Sequence, residues 1–204
     1  MERWPALELA STIRHDGDGG VTDDLATVQG TAHWIQEQGI LPTGLPAGEL
    51  AADENLRLGI IELRQAVRAL FARAVSPAPP SPADAHRLMT ADQALAHLNR
   101  AAAREPVVPQ MDWPVEGVPT ARLLSAEIDP HVRLVAALAR AAIDFLSGPQ
   151  RTRLRSCTAP RCVRYFVQSH GRQEWCKPSC GNRARAARHY RRQRTAADDG
   201  SAPS

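Results

Sequence analysis

Apolar residues recur at helical spacing through most of the first 150 positions. Thr27 has the chemistry to cap a helix running to about Gln38, with Trp34 and Ile35 on its apolar side and Gly39 as terminator. From about Ala51 to Val75, the residues Leu56, Ile60, Leu63, Val67, Leu70 and Phe71 fall on one helical face. A proline-rich connector follows, Ser76 to Pro82, in which Ser81-Pro82 reads as a cap followed by proline at the first helical position. Thr90-Ala91-Asp92-Gln93 fits a capping box for a helix to about Ala103. Pro106 to Thr120 carries four prolines among Val107, Val108 and Met111, a pattern open to a short hairpin or a loop. Asp129-Pro130 opens a last helix with Val132, Val135, Leu138, Ala142 and Phe145 on one face and Gly148 beyond it.

After residue 150 the pattern changes. Val163 to Val167 is a short β-prone run, Gln168 to Arg172 a turn, and Gln173 to Trp175 a second short run, which together predict a β-hairpin. From Asn182, in the N-cap position, to about Arg194 the chain is rich in alanine and arginine and favours a helix. Tyr165, Phe166, Trp175 and Tyr190 are the side chains available for a small core, with base stacking as their other use. The expected class is mainly α: a helical domain over 1–150, a small treble-clef-like module of β-hairpin and helix over 151–194, and a disordered tail over 195–204.

Charge sharpens that division. The 204 residues hold 25 basic and 22 acidic side chains, a net +3. Residues 1–150 have 12 arginines against 19 acids, a balance of −7. Residues 151–194 have 12 arginines and Lys177 against Glu174 alone, a balance of +12. Such asymmetry points to an anionic partner for the basic part. No apolar run approaches the roughly 18–20 residues that span a bilayer. The opening Met1-Glu2-Arg3-Trp4-Pro5 lacks the basic-then-apolar order of a secretory signal, so a cytoplasmic protein is expected, with no membrane partner.

All four cysteines lie in the basic segment, as Cys157, Cys162, Cys176 and Cys180. In a cytosolic chain two short-spaced pairs read as a metal site rather than as disulfides. Zinc takes four thiolates from two turns in this way, which implies one structural Zn²⁺. A redox dithiol or an iron–sulfur cluster are the competing uses, although a redox pair normally has two intervening residues. Pro160 and Pro178 stiffen the two turns, and Gly181 is free to take a positive φ beside the metal. Arg161, Lys177 and Arg183 would favour the thiolate state. A module of roughly 40 residues buries too little apolar area to fold alone, so the metal supplies much of its folding energy.

Cys180-Gly181-Asn182-Arg183 resembles the signature of the CGNR zinc-finger family of bacterial transcription regulators. Trp175-Cys176, the basic run Ala184 to Arg192, and Cys157 and Cys162 as a first pair are similar to that family as well. The upstream part is similar to the helical ABATE-type domain that precedes this finger, through Leu7 to Thr12 with Ile13, Trp34-Ile35 before Gly39-Ile40-Leu41, and Leu63 to Phe71. The resemblance implies DNA binding in a regulator.

The residues suit that role by themselves. Arg164, Arg172, Lys177, Arg183, Arg185, Arg188, Arg191 and Arg192 are candidate nucleic-acid contacts, since arginine forks onto phosphate and onto guanine edges. The helical domain would mediate homodimerisation or sense a small-molecule effector. An RNA- or protein-binding module and a thiolate redox sensor are the alternative readings. His170 and His189 raise the possibility of a nuclease, but four thiolates leave zinc no open position for water and Glu174 is the one nearby acid, so no enzyme is expected. In the helical part there is no glycine-rich phosphate loop. Asp16 to Gly20 begins like a calcium loop but lacks the later glutamate.

Overall fold

The computed structural model describes residues 3–15, 20–39, 50–84 and 88–199, with side chains to 193. Most of the Asp16–Gly20 loop, Ile40, Leu41 and the side chain of Arg194 lie outside these residues. The N-terminal body is helical, with α1 (Pro5–Ala10), α2 (Val28–Gln38), α3 (Glu54–Val75), α4 (Ala91–Ala103) and α5 (Pro130–Ser147). Two antiparallel hairpins belong to it, β1 (Ile13–His15) with β2 (Val21–Asp23), and β3 (Val107–Asp112) with β4 (Thr120–Ser125). The C-terminal part holds β5 (Leu154–Ser156), β6 (Tyr165–Val167) and α6 (Pro178–Asp199).

The helix ends follow the expected chemistry. The Thr27 hydroxyl accepts from the Gly30 amide, and Gly39 closes α2 at φ 62°, in the left-handed region. Asp53 caps α3 through the Leu56 amide. The Thr90–Gln93 capping box of α4 forms in both directions. Asp129 caps α5 with Pro130 in its first turn. The segment left open between hairpin and loop is the β3–β4 hairpin. Its Val108, Met111, Leu123 and Leu124 are exposed, as are Trp113, Val115 and Val118 around its turn.

The apolar faces of α3, α4 and α5 meet in one core with α1, and that core holds every residue expected on the face of α3. Phe71 sits between Phe145 and Tyr165, with ring centroids 5.2 and 5.5 Å away. Leu154 and Tyr165, from β5 and β6, are part of the same core, so packing crosses residue 150. A second, smaller cluster gathers Cys157, Ala159, Cys162, Phe166 and Cys180, with Trp175 against it.

Two arginines on the core side of α3 are buried. Arg64 is held by both Asp23 carboxylate oxygens and by the Thr12 hydroxyl (2.9 Å). Arg68 is 2% exposed, and its guanidinium donates to both oxygens of Asp84, at 2.7 and 3.0 Å. It also bonds the Ala10 carbonyl, which the end of α1 leaves open, and the Ser81 hydroxyl. The Tyr165 hydroxyl donates to Asp84 (2.7 Å) and accepts from the Ser81 amide (3.2 Å). Ser81 in turn donates its hydroxyl to the Val163 carbonyl (2.8 Å). Ser81 was expected to cap a helix; its side chain instead ties the proline-rich connector to the cysteine module, and only a short 3₁₀ turn, Pro82–Asp84, follows it.

Candidate metal centre and basic helix

The hairpin of the cysteine module is not the one the sequence suggests. Strand β6 pairs antiparallel with β5, Ser156 opposite Tyr165, and not with 173–175, which are irregular and end in a bend at Trp175. Residues 157–164 are thus the loop of that hairpin, and this loop carries the first cysteine pair. The Cys157 amide donates to the Arg164 carbonyl and that of Cys162 to the Ala159 carbonyl, which folds the loop back on itself. The tight return places Arg161 at φ 62°. The positive φ beside the metal therefore falls on Arg161, and Gly181 stays in a helix.

Helix α6 starts at Pro178, earlier than Asn182, because proline is preorganised for a first turn and the Lys177 carbonyl accepts from the Cys180 and Gly181 amides. Cys180 is thereby fixed in that first turn. Asn182 is no cap, and its side chain accepts from Arg185 (2.6 Å). The helix continues past Thr195 to Asp199, into the stretch read as a tail. Gly181 serves packing. A Cβ there would lie 3.0 Å from Cε3 of Trp175, so the absence of a side chain lets the indole lie against the helix.

These turns bring the four sulfurs of Cys157, Cys162, Cys176 and Cys180 within 4.8 Å of one another. Cys162 and Cys176 are 3.7 Å apart, and Cys176 and Cys180 3.5 Å. Four sulfurs held tetrahedrally at about 2.3 Å from one zinc lie about 3.8 Å apart, so the set fits a closed Zn(Cys)₄ site. No disulfide joins them. Without a cation such crowded sulfurs share protons. Hydrogen bonds from Cys157 and Cys176 hold the Cys162 thiol far below the usual range, while hydrogen bonds to Cys157 and Cys162, together with burial, push Cys176 up. A divalent ion lets all four ionise together. Arg183 donates to the Cys180 sulfur (3.3 Å) and the Cys176 amide to that of Cys157 (3.5 Å), which steadies the thiolates from outside. Of the three cations expected to favour the thiolates, Arg183 has this contact.

The aromatic residues separate. Phe166 and Trp175 pack at the cysteine cluster. Tyr165 belongs to the helical core, and Tyr190 is 67% exposed. The small core therefore consists of Phe166, Trp175, Ala159 and the cysteines themselves.

The candidate cations divide too. From Arg188 onward every described side chain of α6 is exposed, Arg188, Arg191 and Arg192 among them, and Arg185 is exposed one turn earlier. Arg188 lies over the Trp175 ring (5.6 Å) and Arg172 is exposed in the turn before it. Arg164, Lys177 and Arg183 instead line a recess between the cysteine module and β1–β2. Sequence reasoning did not find Arg64, Arg68 or Asp84. Their signal was present as two arginines four residues apart beside the apolar positions of α3, and a lone acid two residues past the proline-rich connector.

Among the described residues no helix is long and apolar enough to cross a membrane. No curated protein matches the chain. Two family models do. The ABATE model, described as "Putative stress-induced transcription regulator", matches residues 4–149. The CGNR zinc-finger model matches residues 153–193. Both are regulator or zinc-finger types and neither is an enzyme family. With a helical body under the first model and four clustered cysteines under the second, the chain belongs to the ABATE family and carries a CGNR zinc finger.

Proposed function

We propose that the protein is a zinc-dependent DNA-binding transcriptional regulator of the bacterial cytoplasm. Cys157, Cys162, Cys176 and Cys180 hold one Zn²⁺, which fixes the start of α6 against the hairpin loop. The metal is structural: four thiolates fill its coordination and leave nothing for catalysis. The observation that carries the reading is the basic helix itself. Anchored at Cys180, α6 leaves the body with its arginines outward, and an α-helix fits the major groove. Arg172, Arg185, Arg188, Arg191 and Arg192 supply the phosphate and base contacts.

The helical body serves dimerisation or effector sensing. Dimerisation is supported by the exposed apolar residues of β3–β4, Met111 and Trp113 foremost, on a two-stranded hairpin that is marginal in isolation. Sedimentation of the wild type beside Trp113→Ser tests this: the variant should shift toward monomer, and equal monomeric behaviour of both removes the idea.

DNA binding is tested by gel shift of the zinc-loaded protein on duplex DNA, with single-stranded RNA and an acidic protein as competitors. The expected result is a duplex complex that the other two displace poorly. Preferential displacement by RNA or by the acidic protein would support the alternative of a zinc-stabilised RNA- or protein-interaction module.

A further inference from the structure

The recess between the zinc module and the β1–β2 hairpin has a volume of about 360 Å³, within the range of small-molecule sites. It is lined by Arg14 and His15 from β1, Arg164 from the end of the cysteine loop, Lys177 just before α6, and Arg183 from its second turn. No carboxylate is among its described lining residues. The adjacent recess of about 430 Å³ shares Arg14 and Arg164 but also holds Glu8, Asp24 and Glu37, so the two differ in sign.

The cations are not all consumed by the protein. Arg183 spends one nitrogen on the Cys180 sulfur, and its buried Nε has no hydrogen-bond partner. Arg14 is paired with Asp24 on the side of the acidic recess. Among the described residues, no side-chain hydrogen bond or ion pair engages the charged groups of Arg164 or Lys177. A zinc ion with four thiolates, Cys162 of the lining among them, carries two negative charges; with Arg14 offset by Asp24, the three cations Arg164, Lys177 and Arg183 still exceed that. A positive surplus on a concave wall concentrates field lines on an anion that enters it.

We propose that this recess binds a phosphate group of a small phosphorylated molecule or of free inorganic phosphate. A dianion with three or four acceptor oxygens suits several converging cations, whereas a single carboxylate is met by one arginine. The site is built half from the body and half from the zinc finger. A ligand there bridges the two family segments and offers a physical route by which an effector would alter the posture of α6. This deepens the reading as an effector-controlled regulator, but the binding itself is measured without DNA.

The test is calorimetric titration of the zinc-loaded full chain with inorganic phosphate, at ionic strength held constant with chloride. Saturable 1:1 binding is expected. Arg164→Ala and Lys177→Ala should each weaken it by about tenfold, the order of one charge-assisted hydrogen bond. Arg100→Ala, on the exposed side of α4, should leave it unchanged. Zinc content is measured on every variant, and Arg14→Ala replaces any variant that loses metal, since β1 lies outside the zinc module. Heats that scale with ionic strength alone, or equal losses in Arg100→Ala, would overturn the proposal. A duplex-DNA titration of the same variants separates sources: if DNA binding drops tenfold in Arg164→Ala while free phosphate never saturates, the recess holds a backbone phosphate and the small-ligand site is refuted. Failure of DNA binding with phosphate binding intact would sink the regulator reading and leave this site standing.

Discussion

Replacing Asp84 with alanine is the most informative perturbation of the fold. Asp84 is 6% exposed and accepts three hydrogen bonds, two from Arg68 and one from Tyr165. Its loss strands a buried guanidinium whose remaining acceptors, Ala10, Ser81 and Val163, carry no charge. Breaking one half of a buried pair costs about 3–5 kcal/mol. Small domains unfold at roughly 5–15 kcal/mol, so about a fifth or more of the stability is at stake. The measurement is urea unfolding of the zinc-loaded chain followed by tryptophan fluorescence. Arg68→Met combined with Asp84→Leu should recover part of the loss, because both charges then leave the core together while the Tyr165 hydroxyl and the Ala10 carbonyl lose their partners. Tyr165→Phe alone should cost about 1.5–3 kcal/mol, the value of a hydrogen bond to a charged group. A cost below about 1 kcal/mol for Asp84→Ala, as an exposed pair would give, would refute the buried network. So would a double variant no better than the single one. Because Arg68 and Ser81 also bond Val163, beside Cys162, Asp84→Ala should in addition hasten zinc release to a chelator.

Three further outcomes follow from the same geometry. Gly181→Val should push Trp175 off α6, at about 1–3 kcal/mol for overpacking, whereas Gly181→Ala should be near neutral because the helix gains about what the small shift of the indole costs; the emission of Trp175 reports both, and a silent valine variant would contradict the packing. Burial alone would raise Asp23 and Glu105, but hydrogen bonds from Arg64 to Asp23, and from Arg140, Ser125 and Arg133 to Glu105, hold both below the ordinary carboxylate range. Their contribution is complete above the unfolded-state pKa and is lost as pH falls through the lower folded one, so melting temperature should drop through the acid side of that range, and less so in Asp23→Asn. Chelation should disorder the cysteine cluster and release Trp175, while the helical core, which holds Leu154 and Tyr165 without the metal, should keep its far-ultraviolet dichroism; complete collapse on chelation would show that the metal holds the whole chain together.

The helical body was legible because its signals are local. Caps at Thr27 and Thr90 and the apolar stripe of α3 each involve residues within one or two turns. The cysteine quartet was legible for the same reason, as spacing. Pairing was not. Both 154–156 and 173–175 were available to 165–167, and long-range packing decided it, since Leu154 and Tyr165 bury against α3 and α5 while 173–175 must deliver Trp175 to the cysteine cluster. Gly181 was misread because glycine has two uses, left-handed backbone and close approach, and only the position of Trp175 tells them apart. The Arg68–Asp84–Tyr165 network joins residues 16 and 81 apart in the chain, and no periodicity marks such a partnership.

The central claim, that a zinc-anchored arginine helix engages DNA, is tested most directly by titrating the zinc-loaded protein onto duplex DNA over a salt series. Engagement of five phosphates, one for each outward cation, gives a slope of log K against log salt of about −4.5, and Arg188→Ala with Arg191→Ala should reduce its magnitude by about 2. Affinity that ignores salt and these substitutions, or is the same after zinc is removed, would contradict the account.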